Sequence, residues 1–328
     1  MKSPRVRRSS GKGAARSAAF FLSLATFASA GVADDRGPDL SAIARAGSRP
    51  SECGGATRTR PNRWERAKSP GLEHYCTLLA KGYGKLRAAP GDALAFSTEA
   101  SRLMPSASAP LLLEARAKVA LGAFADAFAL FGHARAVSRD GLDAPGALHD
   151  FAIAAQKTNH LREALDAYRS LAPQVELLDD PDEALRIFVE GAFVAMSQGP
   201  EHLAESVGYL NEARRLPKVP ELDSYLLGAL SLALDRQGRR SEATGIAAES
   251  SGPWQLESER SGDTALEGPR PVLPDGELDA MIAELAERRD RDLAVERWQS
   301  FLDSPAGKAG PFAAHARGLR DALKRRPR

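Results

Sequence analysis

The sequence predicts an all-α fold: an α-solenoid of stacked antiparallel helix pairs behind a disordered N-terminal leader. Three observations carry this. Aromatic residues are only 6% of the 328, and the apolar content leans on Ala and Leu. Those two lose little on entering a helix, while the β-branched and aromatic residues that suit strands are scarce. From Leu72 onward apolar residues recur at three- and four-residue spacing, interrupted by short breaks that hold Gly, Pro or Asn. The chain also resembles itself, with one pattern of small and large residues returning along its length.

Residues 1–30 read as a signal peptide. A basic stretch ending at Arg16 precedes the uncharged run SAAFFLSLATFASA (Ser17–Ala30), and small residues stand at Ala28, Ala30, Gly31 and Ala33. Basic region, short apolar core and small-x-small exit are the parts of a secretory address, with cleavage expected after Ala30 or Ala33. The apolar run is shorter than the roughly 20 residues of a spanning helix, and no later run is long enough to cross a bilayer. A periplasmic or secreted location is therefore expected. The formal net charge of +2 includes six cations from this segment; without them 39 basic face 43 acidic residues. A chain of that balance has no general electrostatic attraction to nucleic acid or anionic lipid. The remaining basic run, Lys324-Arg325-Arg326 with Arg328, reads as a solvated helix end.

Residues 31–70 are rich in Arg, Gly, Ser and Pro with little periodicity, and read as a low-complexity leader. The two cysteines, Cys53 and Cys76, straddle its end. In a reducing cytoplasm they would be buried thiols, but in an exported chain an even pair reads as a disulfide pinning the leader to the first helix. The absence of a Cys-x-x-Cys pair argues against redox chemistry, and the lack of a nearby His pair argues against zinc.

Residues 71–250 carry the helical repeats. PGDALAFSTEASRLMP (Pro90–Pro105), LGAFADAFALFGHAR (Leu121–Arg135), NHLREALDAYRSLAP (Asn159–Pro173), EHLAESVGYLNEARRLP (Glu201–Pro217), QGRRSEATGIAAES (Gln237–Ser250) and RDLAVERWQSFLDSP (Arg291–Pro305) align on one small residue. That residue is Ala93, Ala127, Ala164, Ser206, Ala243 or Ala294, at steps of 34, 37, 42, 37 and 51. Four residues on stand Ser97, Phe131, Tyr168, Leu210, Ala247 and Trp298, and three further on Ala100, Ala134, Leu171, Ala213, Ser250 and Phe301. Small, larger, then usually small again lets two helices approach while the bulky side chain fills the neighbouring groove. Prolines at 105, 173, 217 and 305 then end the helices. At LGAFADAF, with Phe124 in the aromatic place, and at DRQGRRSEA, with Gly238 and Ala243, the chain resembles the tetratricopeptide repeat family. Residues 251–275 read as a linker, and 276–328 as a helix pair turning near Arg289–Arg291 followed by a capping helix.

No catalytic constellation is found, and no cofactor or metal is expected. The six histidines are scattered, without His-Glu-x-x-His, a Gly-x-Ser-x-Gly elbow or a phosphate loop. GYGKLR lacks one of three dinucleotide glycines and no strand precedes it. Asp182 and Glu183, beside Pro181, read as a helix start. What remains is recognition. The family resemblance implies that first helices of successive pairs line a concave face holding a protein or peptide partner. Here that face would draw on Arg116, His149, Gln156, Lys157, Asp235 and Arg236. A non-enzymatic scaffold is thus expected; a self-assembling envelope protein and an enzyme acting on the envelope are the alternatives.

Overall fold

The computed structural model describes residues 50, 52–53, 71–138, 142–178, 181–262 and 270–325. The predicted signal peptide, nearly all of the leader and the last three residues, Arg326 and Arg328 among them, lie outside the described residues. Among those described there are fifteen α-helices, short 3-10 turns and no strand. They are α1 (Leu72–Lys85), α2 (Pro90–Leu103), α3 (Ser108–Ala120), α4 (Phe124–Val137), α5 (Pro145–Lys157), α6 (Leu161–Leu171), α7 (Pro181–Gln198) and α8 (Leu203–Ala213). There follow α9 (Pro220–Arg236), α10 (Arg240–Glu249), α11 (Trp254–Ser261), α12 (Glu277–Ala286), α13 (Arg291–Asp303), α14 (Pro305–Ala309) and α15 (Ala313–Arg325). Through α10 each helix packs chiefly on its sequence neighbour, so the chain advances by helix pairs.

The repeated register marks the buried stripe of each second helix. Ala93, Ala127, Ala164, Ser206, Ala243 and Ala294 are all fully buried. A turn later so are Ser97, Phe131, Tyr168 and Leu210, with Trp298 nearly so. The alanine admits the first helix of the pair and the larger residue fills the gap beside it. The core runs through three clusters: around Tyr75, Leu79 and Leu113; around Phe131, Phe151 and Tyr168; and around Phe193, Leu230, Met281 and Trp298.

The turn inside a pair has a recurrent form. Gly122, Asn159 and Gly238 all take a left-handed conformation, with φ of 75°, 62° and 78°. At each, the following N–H (Ala123, His160, Arg239) bonds back to the carbonyl five residues earlier, on Lys118, Ala155 or Leu234. These are Schellman turns, and Asn is the non-glycine residue best able to take the third place. The turn fixes what precedes it: Gln156-Lys157 and Asp235-Arg236 hold equivalent positions, three and two residues before the left-handed residue.

Past α10 the pattern changes. The stretch read as a linker contains α11, whose Gln255 and Glu259 bond to Ser224 and Tyr225 of α9. α12 then runs antiparallel to α9. Arg236 at the end of α9 meets Glu277 at the start of α12, while Gly228 lies against Met281 and Leu285. A Cβ at Gly228 would fall 2.5 Å from Met281 Cγ, so any side chain here would force Met281 to move. Between α11 and α12, residues 270–274 are non-helical. α12 and α13 pair about a break at 287–290, and α13 is capped by Asp290, which accepts from Leu293 N at 2.9 Å. α15 packs on α13. No described helix is long and apolar enough to cross a membrane.

Candidate functional site

Cys53 and Cys76 form a disulfide, both cysteines fully buried. Tyr75, beside Cys76 on α1, donates its hydroxyl to Glu52 at 2.9 Å. Burial first, and then the Glu52 carboxylate, keep that phenol protonated well above its ordinary range. The leader is thus attached to α1 by one covalent bond and one charge-assisted hydrogen bond.

The six residues expected on the first-helix face fall into two groups. Arg116 on α3 bonds through Nε to Asp150 of α5, and its guanidinium lies 5.7 Å from the centre of the Tyr83 ring. His149 is buried on α5 between two carboxylates of α7: Nε2 is 2.6 Å from Glu190 and Nδ1 3.4 Å from Glu183. Burial disfavours the imidazolium, but Glu190 and Glu183 together push its pKa up to about 9. Both ring nitrogens therefore carry hydrogen at neutral pH, as two facing carboxylates require. The same contact, against the opposing effect of burial, holds Glu183 below the usual carboxylate range.

Glu190, which sequence reasoning did not single out, is the centre of this group. It is fully buried, and its carboxylate accepts from His149, from Tyr168 Oη at 3.1 Å and from the backbone N–H of Val272 at 2.8 Å. The last donor belongs to the 270–274 segment. Gln156 Nε2 donates to Val272 O at 2.9 Å and Lys157 Nζ to Leu273 O at 3.3 Å. Gln156, Lys157 and Glu190 thus hold the main chain of a non-helical strap across α5 and α7. Its side chains are engaged as well: Pro271 is buried, Val272, Leu273 and Pro274 are half-buried, and only Arg270 is exposed.

On α9, Asp235 is buried and accepts from Arg240 and His315. Burial opposes its charge, yet His315 and Arg240 hold its carboxyl below the ordinary value. The Arg236 guanidinium lies over Phe312 at 4.4 Å and Phe301 at 5.7 Å. It also meets Glu277 at 2.8 Å, off the N–H axis, so this is a Coulombic contact rather than a hydrogen bond. The equivalent positions on α5 and α9 are therefore both covered from within the chain, one by the strap and the other by α15 and its approach.

Between the two groups lies a half-open cavity of about 500 Å³, bordered by Gln156, Lys157, Leu273, Glu277, Phe301 and Phe312. A smaller one, about 150 Å³, touches Glu284 and Glu287. Burial, then Asp235 and Glu287, push the Glu284 carboxyl up to about 8. Ser231 Oγ lies 3.0 Å from both Ala243 O and Glu284 Oε1. One hydroxyl hydrogen serves only one of them, and a protonated Glu284 supplies the other. Glu287 is held by Arg240 and by Trp298 Nε1. No group of His, Cys, Asp and Glu suited to a metal ion occurs among the described residues. No protein-family model matches this chain, and no curated protein matches it.

Proposed function

We propose that this protein is an exported, non-enzymatic scaffold of the tetratricopeptide type, periplasmic or secreted, which binds an extended segment of a protein partner on the first-helix face of a solenoid. The observation that carries the reading is the strap. Gln156, Lys157 and Glu190 hold polypeptide main chain through one donated N–H and two carbonyls. Binding of this kind is indifferent to most side chains and demands an extended ligand.

The repeat character rests on two supports. One buried register returns in six helices. Contacts between successive units also join residues about one unit apart: Arg116 with Tyr83 and Asp150, Arg169 with Glu205, Arg214 with Glu249.

The test is crosslinking capture from envelope extracts of the native host, comparing the unaltered protein with Gln156→Ala/Lys157→Ala. Those two are chosen because Arg116, His149, Asp235 and Arg236 stand in ion pairs that the fold uses. Loss of a reproducible partner in the double variant supports the scaffold. Capture unchanged by it, with concentration-dependent sedimentation of the purified chain, would favour self-assembly instead.

A further inference from the structure

The strap occupies the recognition track incompletely. Gln156 is 6% exposed and lines the larger cavity, and while its Nε2 bonds to Val272 O, its Oε1 finds no hydrogen-bond partner among the described residues. A carboxamide that donates to one carbonyl of an extended chain is placed to accept from the N–H two residues on. Two residues after Val272 stands Pro274, which has no N–H. The buried acceptor is thus left unused by the very segment that fills the site, at the cost that attends any buried polar atom without a partner.

We infer that Arg270–Pro274 is an intramolecular stand-in for the ligand, displaced by a partner segment that is extended, aliphatic at two successive positions and not proline at the third. This rests on the reading of the first-helix face as a peptide-binding surface and specifies its ligand. Glu190 takes the N–H of the first aliphatic residue, Gln156 and Lys157 take the next two carbonyls, and Gln156 Oε1 takes the N–H that proline withholds. The second aliphatic residue takes the place of Leu273, which packs against the core cluster around Met281 and Trp298. The chain then continues into the cavity of about 500 Å³ beside it. With the strap seated, the apparent affinity of an outside segment is lowered by the fraction of time the track is free. The strap is therefore a built-in brake on partner binding.

The test uses the full chain, two strap variants, and two labelled peptides with blocked ends, Arg-Pro-Val-Leu-Pro and Arg-Pro-Val-Leu-Ala. Val272→Pro removes the N–H that Glu190 accepts while suiting extended backbone, and Val272→Asp sets an acid beside Glu190. Circular dichroism confirms that each variant is folded. Fluorescence anisotropy should show the Ala-ending peptide binding either released variant at least tenfold tighter than the unaltered chain. It should bind at least fivefold tighter than the Pro-ending peptide, and Gln156→Ala in the released background should abolish that preference. Equal affinity for unaltered and released chains, no preference between the peptides, or a preference that survives Gln156→Ala would each overturn the inference. A partner captured from extracts through Gln156 and Lys157, with neither peptide binding, would overturn it while leaving the scaffold reading intact.

Discussion

Replacing Glu190 by glutamine keeps its shape and removes its charge. The carboxylate is fully buried and accepts from His149, Tyr168 and Val272. Glutamine offers one acceptor oxygen and turns two N–H donors toward groups that are themselves donors. The His149 imidazolium, with 5% of its side chain exposed, keeps only the longer 3.4 Å contact to Glu183. Removing one partner of a buried ion pair typically costs about 3–5 kcal/mol, because the other charge stays buried. Relief by deprotonation of His149 bounds that cost. The ion pairs lift its pKa from 6.5 to about 9, which is worth about 3 kcal/mol. The expected loss is therefore about 3 kcal/mol at pH 7, read as a lower midpoint in urea with the slope unchanged. The amide of Val272 should also exchange faster with solvent, while those of α1 keep their protection. A loss under about 1 kcal/mol, or unchanged exchange at Val272, would refute the claim that Glu190 joins α5, α7 and the strap.

Three further outcomes follow from the same contacts. Cys53→Ser/Cys76→Ser should destabilise the chain by roughly 3 kcal/mol in the chain-entropy model, measured by denaturation with and without reductant; a loss below 1 kcal/mol would show that the leader is held without the bridge. Stability should fall as pH rises from 6 to 9. The raised pKa of His149 contributes stability fully present below 6.5 and lost toward 9, and that of Glu284 contributes stability lost between 4.5 and 8. His149→Gln should flatten the upper part of the Tm profile, and an unchanged profile would contradict the assignment. Phe131→Ala, which empties a fully buried position flanked by Ala127 and Ala134, should cost about 3–5 kcal/mol, whereas Phe124→Ala, at the half-buried start of the same helix, should cost less; equal losses would refute the register.

The second helices were legible because their packing is written in side-chain size. A small residue, a larger one a turn on, and a third after that mark a buried stripe whichever neighbour covers it. The first helices were harder to read. Their polar residues looked like a solvated face, yet His149, Gln156, Asp235 and Arg236 are buried under residues supplied from later in the chain. Nothing in local periodicity announces a cover that arrives between 41 and 116 residues later. Glu190 did leave a signal: one acid inside the otherwise uncharged run from Ile187 to Met196, where an unpaired charge would be expensive. The strap left none, because a segment recognised through its main chain carries no side-chain signature, and its two prolines read as a linker. The direction of α12 was equally hidden, since the long connection after α11 permits either orientation.

The most direct measurement places a photo-crosslinking residue at position 157, which is exposed, in the full chain in its native host, with a control at position 212 on the outer face of α8. The account predicts two adducts at 157. One is internal, to residues 270–274; the other is to an extended segment of a second protein, and it increases when Val272→Pro releases the strap. Adducts at 157 that are internal only, or that match those at 212 in the released variant, would contradict the claim that this face recognises a partner.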